Sequence, residues 1–135
     1  MTIVIDASVA LKWVLSEPGS EAAVALQNEQ LVAPVLWLAE AANALWRRLR
    51  LGEITADEAR AFLDDLGSAP VASLSMEPHL GTALSLAIET GHRIYDCIYL
   101  AIALHHRTHV VTADRRFVSA IKSKSLAGRV RLLGT

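Results

Sequence analysis

Short β-branched runs alternating with helix-patterned segments predict an α/β fold, a three-layer α/β/α sandwich around a central, mostly parallel sheet. Three observations carry that expectation. Thr2-Ile3-Val4-Ile5 barely alternates, as in a strand buried on both faces. Helical segments separate it from the later strand-like runs. Asp6 and Asp114 each stand where an apolar strand-like run gives way to a helix-like one, the connection that parallel strands require.

In order, residues 2–5 form the first strand. Residues 7–16 read as a short helix that stops before Pro18, and 19–27 as a second. Leu31-Val32-Ala33 is a short strand. Pro34 suits the first turn of a long helix that runs to about Leu51 and is closed by Gly52. Thr55 and Glu58 make a capping box, each able to satisfy an orphan backbone donor, and open a helix ending at Leu66 and Gly67. Residues 71–74 are a weak strand. Helices follow over 77–90, closed by Gly91, and 95–106; then a strand over 109–112, a short helix over 115–122 and a last strand over 130–132.

The chain of 135 residues is expected to be one domain, spanning 1–135, with no linker, repeat or low-complexity tract. With 13 basic and 14 acidic residues it lacks a global basic signature, so any nucleic-acid contact needs a local patch. The single cysteine, Cys97, lies in an apolar run and has no internal disulfide partner, which fits a reducing, cytoplasmic setting. No signal-peptide pattern is evident, and no apolar run approaches the ~20 residues of a membrane span.

The chemistry-bearing candidates are four carboxylates. In an open parallel sheet, ligands bind at the carboxyl ends of the strands, and Asp6 and Asp114 fall there. Each could equally be a helix N-cap, and Ser8 could cap as well as Asp6. Thr112, two residues before Asp114, leaves its strand on the same side. Asp96 opens Cys97 to Leu104, a run without charge, where it gains from the helix dipole and also lies near the sheet edge. Glu40 lies inside a helix, on a polar stripe with Asn43, Arg47 and Arg50 that reads by itself as a solvated face.

Four carboxylates gathered in one crevice cannot all stay ionised without compensation. Hard oxygen donors of this kind suit Mg²⁺, with Mn²⁺ as substitute. Such an ion polarises a phosphoryl oxygen and activates water, so the composite reading is metal-assisted phosphodiester hydrolysis.

Val4-Ile5-Asp6-Ala7-Ser8, Glu40 with Asn43, Tyr95-Asp96 and Thr112-Ala113-Asp114-Arg115-Arg116-Phe117, taken in order, resemble the PIN-domain family. More narrowly they resemble the VapC-type ribonuclease toxins of toxin–antitoxin pairs. The resemblance implies an acidic metal site of Asp6, Glu40, Asp96 and Asp114, supported by Ser8, Asn43 and Thr112. It implies endonucleolytic RNA cleavage, a homodimer, and a small antitoxin whose C-terminal segment lies in a groove beside the acids. Family members often carry a further polar or acidic residue after the last Asp; this chain has Arg115, Arg116 and Phe117 there.

Arg115 and Arg116 are placed to hold a phosphate near the metal. Arg47, Arg48 and Arg50 form the densest basic cluster, which is either a solvated helix face or an RNA contact. Residues 35–66 form a helical pair whose Trp37, Trp46 and Phe62 either anchor a partner helix or fill the core. The five histidines show no metal-ligand spacing, and there is no nucleophile elbow or glycine-rich phosphate loop. Two other classes compete: a receiver-like Mg²⁺ phosphoacceptor, opposed by Lys122 and Lys124 lying beyond a helix, and a non-enzymatic interaction module.

Overall fold

The computed structural model describes residues 1–135, apart from the side chain of Lys124. Five strands, β1 (Thr2–Ile5), β2 (Gln30–Pro34), β3 (Val71–Leu74), β4 (Val110–Thr112) and β5 (Val130–Leu132), form one sheet in the order β3-β2-β1-β4-β5. Every pairing is parallel, so the sheet is more regular than the mostly parallel one expected. Central β1 is closed on both edges, with Val4 facing Val32 on one side and Val110 on the other. Its uniform apolar character follows from that position: Val4 and Ile5 are fully buried.

Seven α-helices connect the strands: α1 (Ala7–Ala10), α2 (Ser20–Ala25), α3 (Leu36–Arg50), α4 (Ala56–Gly67), α5 (Leu80–Thr90), α6 (Ile94–His105) and α7 (Arg115–Ala120). The chain walks from β1 out to β3, then returns to β4 and β5. Right-handed crossovers therefore place α1–α4 on one face and α5–α7 on the other, giving three layers. Helix α6 packs on β1, β2 and β4, and its run from Cys97 to Ala103 is buried throughout. None of the described helices is long and apolar enough to cross a membrane.

Several boundaries differ from the sequence expectation. Pro34 ends β2 instead of starting α3, because it stays in register with Leu74 and the next amide, Val35 N–H, still donates to Leu74 O at 2.9 Å. The first helix is a single α-turn continued as a 3₁₀ turn over Leu11–Trp13. A 3₁₀ turn over Glu77–His79 likewise precedes α5. The Thr55–Glu58 capping box forms as expected, with Glu58 N–H donating to Thr55 Oγ1 at 3.1 Å and Thr55 N–H to Glu58 Oε1 at 2.9 Å. Gly91 closes α5 at φ 69°, a backbone state natural to glycine.

Candidate active site

β1 and β4 lie side by side, and the chain leaves them toward opposite edges of the sheet. A crevice opens at the carboxyl ends of strands where two connections part in this way. Asp6 is the residue after β1, and Asp114 lies two beyond β4. Glu40 arrives from the second turn of α3 and Asp96 from the first turn of α6. All four line one cleft of about 240 Å³, together with Ser8, Arg47, Arg93 and Arg116.

Asp6 is buried and its two oxygens are fixed separately. Oδ1 accepts from Ser8 N–H at 3.1 Å and from the Ser8 hydroxyl; Oδ2 accepts from Thr112 Oγ1 at 2.5 Å. The same hydroxyls accept backbone amides from the exit of β4, Ala113 N–H onto Ser8 Oγ at 2.9 Å and Asp114 N–H onto Thr112 Oγ1 at 3.0 Å. Asp6 is thus both the N-cap of α1 and the hub joining the ends of β1 and β4. Burial pushes its carboxyl up to about 6; the two hydroxyls oppose that shift, and Asp96 and Glu40 add repulsion.

Glu40 is half-buried, and burial with the nearby Asp96 raises its carboxyl, opposed by a hydrogen bond from Tyr99 Oη at 2.5 Å. Asp96 Oδ2 is shared by His92 Nε2 at 2.7 Å and Arg93 Nη2 at 2.8 Å. The same Arg93 nitrogen lies 3.5 Å from Asp114 Oδ2, so one guanidinium spans two carboxylates. Asp114 also caps α7, accepting Arg116 N–H at 2.9 Å, with Arg116 Nε at 3.6 Å.

Three expected members are off the cleft lining: Thr112, which is fully buried and bonded to Asp6, and Asn43 and Arg115. Asn43 is exposed, because on a helix the fourth and seventh residues after Glu40, Ala44 and Arg47, hold its face better than the third does. Arg115 is exposed and also off the lining, one residue out of phase with Arg116. Arg48 is committed elsewhere, to Glu17 at 2.9 Å and Glu53 at 3.3 Å, and Arg50 lies over the Trp46 ring at 5.2 Å. Trp37 is a core residue donating to Ser73 Oγ at 3.0 Å, whereas Trp46 is half-exposed. Lys122 follows α7 away from the cleft, and the Lys124 side chain lies outside the described residues.

His92, Arg93 and Tyr99 were missed. The spacing i, i+4 and i, i+3 from His92 and Arg93 to Asp96 was a usable signal. A tyrosine inside an otherwise apolar buried run was another, since a buried hydroxyl finds a partner.

Among the described residues, no group of three or more His, Cys, Asp or Glu side chains is already arranged to hold a metal ion. The donors lining the cleft are nonetheless hard oxygens, the chemistry of Mg²⁺ or Mn²⁺. Asp6 and Glu40 also retain repulsion that the chain's own cations leave uncompensated.

A PIN domain family model matches residues 3–122. The chain belongs to the PIN-domain family. It is 32% identical over 120 residues to Ribonuclease VapC3 of Pyrobaculum aerophilum, covering 86% of this chain and 92% of that relative. Exonuclease VapC9 of the same organism is 34% identical over 96 residues, 70% of each chain. Among solved structures, PAE2754 of Pyrobaculum aerophilum has a TM-score of 0.75 at 24% identity, covering 98% of this chain and 84% of that one. Mycobacterium tuberculosis VapC20, a sarcin-ricin loop cleaving toxin, has a TM-score of 0.65 at 16% identity, with 87% and 94% coverage. VapBC2 of Rickettsia felis, solved with a DNA fragment from its promoter, has a TM-score of 0.63 at 13% identity, with 98% and 97% coverage. These three structural likenesses establish the fold.

Proposed function

We propose that this chain is a divalent-metal-dependent endoribonuclease, one nuclease domain over residues 1–135 and the toxin of a toxin–antitoxin pair. The observation that supports it most is the convergence of Asp6, Glu40, Asp96 and Asp114 on one cleft at the switch point of a PIN-family sheet. The name of the relative VapC3 agrees with it.

Asp6, Asp96, Asp114 and Glu40 would hold Mg²⁺, or Mn²⁺ in its place. When bound, the ion supplies polarisation of a phosphoryl oxygen and a lowered pKa for water. The chain's own residues do the positioning. The amide and hydroxyl of Ser8 occupy both lone pairs of Asp6 Oδ1, and Thr112 takes one on Oδ2, which leaves the other lone pair of Oδ2 for the cleft. Tyr99 holds Glu40 Oε1, which leaves Oε2 to orient water. Arg47 and Arg116 line the cleft wall, where they would contact phosphate, whereas Arg115 and Asn43 are off that lining.

Two protein partners complete the reading. An antitoxin helix suits the apolar groove between α3 and α4, lined by Leu45, Leu49, Leu63 and the half-exposed Trp46. A second copy of the chain suits α5, where Leu80, Leu84 and Ile88 stand exposed at four-residue spacing.

The test is cleavage of an RNA pool with Mg²⁺ or Mn²⁺, with and without EDTA, beside Asp96→Asn. Loss of cleavage with EDTA and with the substitution supports the reading; cleavage unaffected by both overturns it. The name of VapC9 favours a second reading, exonucleolytic trimming. A circular RNA substrate separates the two, since only an endonuclease opens it.

A further inference from the structure

At the opposite edge of the sheet, near the amino ends of β1, β4 and β5, a second cavity of about 430 Å³ opens. Arg107, Arg129 and Arg131 line it beside His106 and His109, and no carboxylate does. Arg129 Nη1 donates to Thr108 O at 2.9 Å and Arg131 Nε to Gly128 O at 3.0 Å, so backbone carbonyls steady both guanidiniums. Among the described residues, none of the three arginines has a carboxylate within ion-pair distance. Three unneutralised guanidiniums on one cavity are a local departure in a chain of net charge −1.

The backbone supplies an independent sign. Arg107, at φ 56°, is the one non-glycine residue with positive φ among those described. It closes α6, with Arg107 N–H donating to Leu104 O at 3.2 Å and Thr108 N–H to Ala103 O at 2.9 Å, a turn in which glycine is the usual occupant. The helix dipole alone does not account for an arginine there, since His105 and His106 already stand at that end and any last-turn position would serve without left-handed backbone. A strained position that keeps a long cationic side chain points to use of that side chain. His109 reports the same field: burial and then Arg131 and Arg129 push its imidazole below the ordinary value.

We propose that this cavity is a second RNA site, in which Arg107, Arg129 and Arg131 grip a backbone phosphate on the sheet edge opposite the acidic cleft. Guanidinium forks match phosphate oxygens. The cavity is lined by no Phe, Tyr or Trp on which a base would stack, so it reads charge rather than sequence. The two edges are separated by the four steps from Thr2 to Asp6, roughly 13 Å at ~3.3 Å per residue. β1 is buried between the two helix layers, so an RNA strand engaging both edges must run round the outside and span more than about four nucleotides at ~3.4 Å each. The choice of RNA as the polymer rests on the ribonuclease reading; the phosphate chemistry does not.

The experiment is RNA binding in EDTA, where no cleavage is expected, by anisotropy of a labelled single-stranded RNA. The wild type, Arg107→Gly and Arg129→Gln/Arg131→Gln are compared. Arg107→Gly relieves the backbone, so it should melt no lower than the wild type yet bind RNA several-fold more weakly. The double variant should lose about tenfold and lower the salt slope by roughly 1. By NMR, the RNA and inorganic phosphate should each raise the His109 pKa in the wild type and not in the double variant. Unchanged RNA affinity in both variants overturns the site. A His109 response to phosphate but not to RNA, or tighter arginine-dependent binding of poly-glutamate than of RNA, overturns RNA as its occupant. Failure of the nuclease reading would register separately, as absent cleavage on adding Mg²⁺ with binding in EDTA intact.

Discussion

Tyr99 Oη donates to Glu40 Oε1 across 2.5 Å and thereby ties α6 to α3 at the wall of the acidic cleft. Burial first, and then Glu40, push the Tyr99 hydroxyl far above its ordinary value, so it remains a donor throughout the working pH range. Glu40 in turn is raised by burial and Asp96, and Tyr99 is the largest opposing influence.

Tyr99→Phe should therefore raise the Glu40 carboxyl further. A carboxylate raised on folding makes the folded state less stable as pH climbs through its pKa, and this substitution enlarges that loss. The variant should be destabilised by about 1–3 kcal/mol at pH 8 and by less at pH 4. Urea melts at the two pH values check it; equal losses would show that the hydroxyl acts only through packing.

Asp6 gives the same sign with a larger amplitude. Its folded value of about 6 lies above the ordinary 3.8. Its ionisation thus leaves stability untouched below about 3.8, lowers it progressively up to about 6, and holds it down above that. The gap corresponds to a loss on the order of 3 kcal/mol. Asp6→Asn should remove that slope and gain on the wild type steadily from pH 4 to pH 7. Denaturant titrations across this window read the difference directly, and parallel curves would sink the assignment.

The parts of this arrangement legible in the sequence were those set by local rules. β-Branched strands, the Thr55–Glu58 box and the strand-end positions of Asp6 and Asp114 depend on neighbours in the chain, and they stand where expected. Asn43 and Arg115 went astray because a charge-rich helix face does not say which part of it turns inward. Tyr99 and Glu40 are 59 residues apart, and only the packing of α6 against the sheet brings them together. The cavity of Arg107, Arg129 and Arg131 was invisible for the same reason, since α6, β4 and β5 must first be assembled.

Millimolar Mg²⁺ or Mn²⁺ should raise the melting temperature at pH 7.5, because a ligand of the assembled carboxylates stabilises only the folded chain. The rise should shrink at pH 5, where Asp6 holds a proton that a metal must displace. Asp96→Asn should blunt it at both values. A shift independent of pH and of Asp96 would mean that the ions act elsewhere on the surface.

Arg93 offers the sharpest test of how the site balances its charge. One guanidinium nitrogen lies 2.8 Å from Asp96 and 3.5 Å from Asp114, so the chain brings its own cation to two of the four acids. The Arg93 side chain is 63% exposed, so solvent screens the contact and a competing ion can displace it. Arg93→Gln should then do two opposite things. The metal-free protein should lose stability at pH 7.5, by no more than about 1 kcal/mol given that screening. Mn²⁺ should bind more tightly, by up to about fivefold, because no guanidinium has to leave Asp96 and Asp114 first. Calorimetric titration of Mn²⁺ into both proteins, with Arg116→Gln as a control for the loss of one nearby positive charge, separates the cases. Equal tightening in both variants would reduce Arg93 to a general field effect. Weaker Mn²⁺ binding in Arg93→Gln would mean that the arginine orients the carboxylates for the ion instead of competing with it.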